Sequence, residues 1–277
     1  MSKLKEQFIQ QMVLKNYSKR TIENYTRQIQ GLSVYYNASP DLITRQQIRD
    51  YLQHRISVEK VSKSWVNIFI SALKILLCEV LKREWDLLDI PRPRREKKLP
   101  LILSKDEVSR LIKCTRNQKH RTIFMVAYGG GLRISEVINL KVGDIHSKRM
   151  MIRIVQAKGF KDRYCQLSPI LLEQLRYYWK LFTPKTYLFE TKPNHPITDR
   201  TVQTVFKQAL HRAGIDKKAS MHTLRHSYAT HLMEQGVSLP LIQQLLGHKS
   251  LRTTSVYLHV QQYSIDAVQS PLDSIKL

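Results

Sequence analysis

The sequence contains few cysteines, few acidic residues and no long apolar run. Its three cysteines, Cys78, Cys114 and Cys165, are far apart and form no Cys-x-x-Cys pair. This spacing argues against a disulfide scaffold and against a cysteine-rich zinc site, and the three residues are predicted to pack as small hydrophobic side chains. Because no signal peptide and no membrane-length apolar segment is found, the sequence predicts a soluble, cytoplasmic protein.

Basic residues dominate the charge of the chain. Lys and Arg number 46 against 22 Asp and Glu, which gives a formal net charge of +24. A charge of this size attracts polyanions, and the release of counterions from nucleic acid favours binding. Basic residues are in excess both before and after Pro100, as expected of a protein that binds a duplex through both halves of its chain. No strongly amphipathic basic helix of the membrane-binding kind is evident. DNA or RNA is therefore the expected partner, and no membrane is expected.

The segment 91–100 divides the chain into two predicted domains. Its three prolines prevent a continuous helix, and its basic residues cannot pack in a core. We interpret residues 1–90 as an N-terminal helical DNA-binding domain, 91–100 as a solvated linker and 101–277 as a second, larger domain. The linker is expected to lie along the phosphate backbone through its basic side chains, which are Arg92, Arg94, Arg95, Lys97 and Lys98.

Before the linker, apolar residues at helical spacing predict four helices. The first covers residues 2–15, and the others begin behind the N-caps Ser18, Thr44 and either Ser62 or Ser64. The outer faces of these helices are rich in Lys and Arg. The pattern predicts a small bundle.

After the linker, most of the chain is also predicted to be helical. A capping box at 104–107 opens one helix, and two more are expected at 121–128 and 132–140. The β-rich residues 150–156 and 163–167 predict a hairpin that turns at Lys158 and Gly159. Gly247 is expected at a helix C-terminus. The remaining predicted helices cover 169–182, 198–213, 222–235, 238–246 and 250–258.

Four polar residues near the C-terminus have a spacing that suits chemistry on a phosphodiester. His222 and Arg225 are three residues apart, so they share one face of a helix. His248 follows Gly247, and Tyr257 comes nine residues later. Cations and imidazoles that converge on one point can neutralise a phosphate and donate hydrogen bonds to it. They also favour the phenolate form of a tyrosine, which can then act as a nucleophile.

A zinc site is the alternative interpretation of His222 and His226, because His-x-x-x-His is a metal-binding spacing. A zinc hydrolase of this helical type has Glu after the first histidine, whereas Thr223 stands there. No nearby carboxylate or thiol supplies a convincing third ligand. We therefore expect no metal, and we interpret His226 as a structural, hydrogen-bonding histidine.

Arg133 and Lys158 can each be interpreted in two ways. Arg133 follows a glycine run and precedes Glu136 by three residues, a spacing usually found in surface ion pairs. If Arg133 shares a target with Arg225, the two guanidinium groups can hold both non-bridging oxygens of a phosphate. Lys158, at the tip of the predicted hairpin, is either a solvated turn lysine or a lysine that reaches into a groove and protonates a leaving oxygen.

Together these residues resemble the tyrosine recombinase (phage integrase) family, and most closely its Xer-like members. The resemblance covers nearly the whole chain and rests on the segments 131–136, 158–159, 222–231, 246–248 and 253–257. It implies a mainly α fold, with an N-terminal four-helix core-binding (SAM-like) domain and an α-helical catalytic domain that carries a small β-hairpin. It implies that Glu136 supports the first arginine and that Tyr257 attacks the scissile phosphate. The residues that activate this phosphate would be Arg133, Lys158, His222, Arg225 and His248.

The resemblance further implies a site-specific recombinase or a mobile-element integrase. Tyr257 would form a 3′-phosphotyrosyl bond and release a 5′-hydroxyl, with no metal, nucleotide or other cofactor. The implied partner is double-stranded DNA with inverted-repeat sites, and a homotetramer on two duplexes would bind it at the nucleoid. The end of the 101–277 domain, after Tyr257, is expected to be a segment that docks into a neighbouring subunit, or else folds back on its own domain. The alternatives are a type IB topoisomerase that relaxes DNA as a monomer, and a catalytically silent DNA-binding protein. A strand-exchange assay distinguishes a recombinase from the first alternative, and a covalent adduct with DNA distinguishes it from the second.

Overall fold

The N-terminal part of the chain forms a bundle of α-helices in the computed structural model, which describes residues 3–84, 92–93, 99–155 and 162–247. The chain divides into two compact units, Met1–Lys97 and Lys98–Leu277. The described residues of the first unit form four helices, and the last of them continues into a π-helical segment at Ile75–Val80. Their bounds are Lys3–Leu14 for α1, Lys19–Tyr36 for α2, Arg45–Ser57 for α3 and Lys63–Lys74 for α4.

Polar side chains fix where these helices begin. The hydroxyl of Ser18 accepts the backbone N–H of Thr21 at 3.1 Å and opens α2. Thr44 opens α3 through a capping box with Gln47. Of the two serines considered for α4, the structure selects Ser62, whose hydroxyl accepts the backbone N–H of Trp65.

The core of the bundle is apolar and aromatic. Phe8 and Met12, four residues apart on α1, point to the same side and are both buried. On α4, the rings of Trp65 and Phe69 stack with centroids 5.4 Å apart. Tyr51 of α3 packs against Phe69 at 5.4 Å between centroids. The helices are thus held by a continuous hydrophobic cluster rather than by their charged outer faces.

The second unit is also mainly helical. Its helices are α5 (Lys105–Lys113), α6 (Gln118–Gly129), α7 (Ile134–Ile138), α8 (Pro169–Phe182), α9 (Asp199–Arg212), α10 (Met221–Glu234) and α11 (Leu239–Leu246). α5 begins at the predicted capping box, where Ser104 and Glu107 exchange hydrogen bonds. α6 and α9 meet in the core through Phe124 and Phe206, whose rings contact edge to face. This core continues through Leu224 into α10.

The described residues of the second unit also form two small antiparallel sheets. The first has the order β1-β2-β3, with β1 at Ile145–His146, β2 at Met151–Ile154 and β3 at Arg163–Gln166. Ile152 pairs with Cys165 and Ile154 with Arg163 in the β2–β3 register. The second sheet pairs β4 (Glu190–Lys192) with β5 (His195–Pro196). The predicted turn at Lys158 and Gly159 lies outside the described residues.

The structure corrects several predicted elements. The helix expected at 132–140 is only Ile134–Ile138, because Arg133 has an extended backbone at the N-cap position and Gly131 has a φ of +59°. β1 and the β4–β5 sheet were not predicted. These strands have two or three residues, too few for a period-two pattern to show. The helix expected at 250–258 falls outside the described residues.

The cysteines and the helix lengths bear on two further expectations. Cys165 is buried as expected, whereas Cys78 and Cys114 are half-buried, and all three are free thiols. Within the described ranges, no helix has the length and apolar character needed to span a bilayer.

Candidate active site

The N-terminal end of α10 carries three of the residues singled out in the sequence, His222, Arg225 and His226. Thr223, which stands where a zinc hydrolase would have Glu, accepts the backbone N–H of Ser220 through its hydroxyl at 3.0 Å. It therefore satisfies an N–H at the helix start rather than activating a water. The rings of His222 and His226 contact edge to face, with centroids 4.9 Å apart.

Arg225 is held beneath the surface by backbone carbonyls. Its side chain is 1% exposed. Nη1 donates to the carbonyl of Gly131 at 2.8 Å, and Nη2 donates to the carbonyl of Leu246 at 2.6 Å. Arg225 thus connects α10 with the loop before α7 and with the end of α11. Both bonds fix the plane of the guanidinium group.

Gly131 permits this arrangement because no side chain fits at its position. A Cβ built there would lie 2.4 Å from a ring carbon of Tyr228, and its φ of +59° is in the left-handed region. The backbone of Gly131 therefore approaches α10 closely enough for its carbonyl to accept from Arg225. This is the physical reason for the glycine that precedes Leu132 and Arg133.

Arg133 and Glu136 form the ion pair that their spacing suggested, but the carboxylate is buried. Glu136 accepts the backbone N–H of Arg133 through Oε2 and Nη1 of Arg133 through Oε1, both at 2.8 Å. The side chain of Glu136 is 9% exposed and that of Arg133 is 35% exposed. Nη1 of Arg225 lies 3.6 Å from Oε2 of the same carboxylate. Glu136 therefore lies between the two arginines predicted to share a target.

Arg163 is a member of this cluster that the sequence analysis missed. Its Nη1 and Nη2 each donate to one oxygen of Glu136 at 2.8 Å, and its Nε donates to the carbonyl of Leu245 at 2.9 Å. The signal in the sequence is the period-two alternation of β3, which puts Arg163 on the same face as Cys165. That face is buried, which is unusual for a charged residue, but the alternation does not identify the partners of Arg163.

Family profiles match both units of the chain. The profile of the phage integrase family matches residues 102–263, and that of the phage integrase N-terminal SAM-like domain matches residues 4–87. The chain belongs to the phage integrase family. The predicted family is therefore confirmed.

Relatives of this recombinase cover most of its length. A provisionally named integrase/recombinase of Sinorhizobium fredii is 38% identical over 99% of this chain and 89% of its own. Tyrosine recombinase XerA of Pyrococcus furiosus is 34% identical over 94% of this chain and 90% of its own. A crystal structure of a lambda integrase tetramer bound to a Holliday junction shares the fold, with a TM-score of 0.74 and 19% identity over 91% of this chain and 75% of that one. The predicted mainly α recombinase fold and tyrosine-type site-specific recombinase activity are confirmed.

Burial and positive charge set the protonation states of the cluster around Glu136. Burial raises the pKa of Glu136, but the hydrogen bonds and charge of Arg163, then the backbone N–H of Arg133 and the charge of Arg225, outweigh it and lower the pKa to about 2. His222 is exposed to solvent, yet its partial burial lowers its pKa, and the charges of Arg225 and Arg133 lower it further against a smaller opposing effect of Glu136. Positive charge therefore converges on His222.

His226 lies deeper in the same end of α10. Burial, followed by the neighbouring His222 and Arg225, lowers the pKa of His226 to about 4. Its ring is therefore neutral at physiological pH. Among the described residues of the recombinase, no group of three or more His, Cys, Asp or Glu side chains is placed to hold a metal ion.

The structure describes only some of the predicted site residues. It brings Arg133, Glu136, His222 and Arg225 together. Gly247 ends α11 in the left-handed conformation, with a φ of 64°, as the sequence predicted. Arg92 of the linker is exposed. Outside the described residues lie Lys158, His248, Tyr257, Arg94, Arg95, Lys97 and Lys98.

Proposed function

We propose that this recombinase cuts and rejoins double-stranded DNA with Tyr257 as its nucleophile. The phenolate oxygen attacks the scissile phosphorus, the P–O5′ bond breaks, and a 3′-phosphotyrosyl bond forms. The leaving 5′-oxygen takes up a proton and becomes a hydroxyl, which later attacks the phosphotyrosine of a partner strand. One phosphoester replaces another at each step, so the chemistry requires no nucleotide.

Arg133, Arg225 and His222 are proposed to hold the phosphate during both steps. The observation that carries this proposal is the anchoring of Arg225 by two backbone carbonyls, close to Arg133 and His222. A cation whose orientation is fixed before DNA arrives needs no reorganisation as charge develops on the non-bridging oxygens. Glu136 supports Arg133 by accepting from both its backbone and its side chain.

Lys158 and His248 complete the proposed set. Lys158 is proposed to protonate the leaving 5′-oxygen, because a compact ammonium on a flexible stem can reach into a groove and deliver a proton. His248 donates a hydrogen bond to the phosphate. This role of His248 is supported by its position in the sequence. It follows Gly247 directly and comes two residues after Leu246, whose carbonyl accepts from Arg225.

The proposed assembly is a homotetramer on two duplexes with inverted-repeat sites. The lambda integrase tetramer on a Holliday junction supports it by likeness of fold. Residues 1–90 are proposed to bind the DNA core site, 91–100 to follow the backbone as a linker, and 101–277 to carry out catalysis. Sedimentation on DNA together with a strand-exchange assay tests this assembly. Monomers that relax supercoiled DNA without exchange would contradict it.

The nucleophile is tested with a suicide substrate. Duplexes are first selected from a random pool by binding, and then nicked beside the cleavage position so that the released fragment diffuses away. The unaltered chain should form an adduct that survives denaturation. Tyr257→Phe removes one hydroxyl, so we expect no adduct and nearly intact DNA binding.

Tyr263→Phe is the matched control, because Tyr263 is a second tyrosine six residues away. This variant should still form the adduct. Persistence of the adduct in Tyr257→Phe, or its loss only in Tyr263→Phe, would assign the nucleophile elsewhere.

A further inference from the structure

Arg163 occupies an unusual place for a charged residue. It begins β3 opposite Ile154, on the inward face of the sheet, and its side chain is 7% exposed. A buried guanidinium is costly unless its donors are satisfied. The position therefore requires partners that the rest of the fold must supply.

All three nitrogens of the Arg163 side chain donate hydrogen bonds to such partners. Nη1 and Nη2 form a bidentate pair with the two oxygens of Glu136, and Nε donates to the carbonyl of Leu245. A planar fork with two parallel bonds fixes both the position and the rotation of the carboxylate. A lysine at this position could supply only a single ammonium, without the fork.

The contacts of Arg163 lead directly to the residues proposed to bind DNA phosphate. Glu136 also accepts from Arg133 and lies 3.6 Å from Arg225. The carbonyl next to that of Leu245, on Leu246, accepts from Arg225. Arg163 therefore joins its own sheet, the start of α7 and the end of α11 at one point.

We propose that Arg163 is a positioning residue for recombination: it fixes Glu136 beneath Arg133 and anchors the end of α11 that leads to His248. The inference rests on the proposed function. Arg163 also neutralises part of the negative charge of Glu136, so that the charges of Arg133 and Arg225 can act on the scissile phosphate. Without it, Glu136 would bind those two arginines more strongly and compete with DNA.

The same sheet contains a second ion pair with a buried carboxylate, and it lacks these connections. Arg153 of β2 donates through Nε to the buried carboxylate of Asp144 at 3.2 Å. Asp144 also accepts the backbone N–H of Lys141, so this ion pair likewise braces a local turn. None of these three residues belongs to the proposed site. Arg153→Met therefore removes another ion pair of the sheet, from an arginine that is 43% exposed, without touching the phosphate-binding cluster.

The test compares Arg163→Met, Arg163→Lys and Arg153→Met in the full chain. Three quantities are measured: the dissociation constant for a selected duplex, the single-turnover rate of adduct formation at saturating enzyme, and the fraction of folded protein by circular dichroism. Arg163→Met should lower the rate at saturation on the order of 10²-fold per folded molecule, with much less change in the dissociation constant. Arg163→Lys should recover part of the rate, and Arg153→Met should keep it within about threefold.

Each outcome bears on the inference. If Arg163→Met fails to fold, Arg163→Lys carries the comparison, because it retains the charge while losing the fork. Equal rates for Arg163→Lys or Arg163→Met and the unaltered chain would overturn the proposal. An equal loss in Arg153→Met would also overturn it, since any ion pair of the sheet would then suffice. Absence of an adduct with the unaltered chain is a different result, because it contradicts the proposed function itself.

Discussion

A single carboxylate organises the cationic centre of this recombinase. Glu136 contacts Arg133 three residues before it, Arg163 in β3 and Arg225 in α10. Its two oxygens accept hydrogen bonds from Arg133 and Arg163, and Arg225 lies 3.6 Å from one of them as an ion pair. At the scale of one residue, Glu136 therefore links the orientation of Arg133 to the position of Arg225.

The low pKa of Glu136 predicts a loss of stability in acid. Its pKa falls from an ordinary value of 4.5 to about 2 in the folded chain. This shift adds on the order of 3 kcal/mol to the free energy of unfolding. The contribution is present above about pH 4.5 and is lost as the pH falls through about 2. Urea denaturation between pH 7 and pH 2 should show this loss. Glu136→Gln should remove it and leave a shallower acid dependence.

Glu173→Gln serves as the control for that measurement, because Glu173 is exposed on α8. Its acid dependence should match that of the unaltered chain. An equally steep loss of stability in Glu136→Gln would show that other groups dominate acid unfolding.

The sequence predicted most of the residues that meet at the site, but not all. The spacing of His222 and Arg225 and the Arg133–Glu136 pair are local features, so they could be recognised. Arg163 could not be assigned in the same way, because its partners Glu136 and Leu245 are distant in sequence and meet it only when β3 packs against α7 and α11.

At the scale of elements, helices were predicted better than strands for a physical reason. Caps and apolar spacing act within a few residues, so α8 was placed at residues 169–182 and α10 within one residue at each end. The small strands β1, β4 and β5 pair locally, Ile145 with Ile152 and Lys192 with His195, but their two or three residues are too few to show a period-two pattern.

α10 also holds the chain segment that enters the second unit. The hydroxyl of Ser227 accepts the backbone N–H of Leu103 at 2.9 Å and donates to the carbonyl of Thr223. Both Leu103 and Ser227 are fully buried. The helix that carries His222 and Arg225 is therefore tied to the residues just after the proposed linker.

Ser227→Ala should destabilise the recombinase by about 1–3 kcal/mol, because it leaves the Leu103 N–H buried without its acceptor. Urea denaturation measures the loss, and the Leu103 amide should exchange hydrogen faster. Ser71→Ala is the control: the Ser71 hydroxyl donates to the carbonyl of Asn67 within α4, so its loss should cost no more than about 0.5 kcal/mol. An unchanged hydrogen-exchange rate of the Leu103 amide in Ser227→Ala would contradict the proposed role of this hydrogen bond.

At the scale of the whole molecule, the net charge of +24 governs the approach to DNA. Each phosphate that the protein neutralises releases condensed counterions, so affinity falls as salt concentration rises. If 6–10 phosphates are neutralised, the affinity falls by about 10³–10⁵-fold between 50 and 200 mM salt. The slope of affinity against salt therefore reports how many phosphates the protein neutralises.

Replacing the basic linker residues should lower that slope. We expect a decrease of roughly 0.9 for each phosphate that is no longer neutralised when Arg92, Arg94, Arg95, Lys97 and Lys98 are all changed to Ala. A filter-binding titration across salt concentrations measures it. The control changes the three arginines to lysine and should keep the slope, because counterion release depends on charge. An unchanged slope in the alanine variant would show that the linker does not bind the DNA backbone.

The last turn of α11 has a consequence for how the site holds its charge. Arg163 and Arg225 donate to the carbonyls of Leu245 and Leu246, where a helix has unpaired acceptors and carries roughly half a negative charge. This backbone counterion cannot be titrated, and it offsets the guanidinium groups only in part. Within the described portion, Glu136 is the carboxylate that faces them. The cluster is thus kept electropositive across physiological pH, and in the proposed function a DNA phosphate would supply the balancing anion.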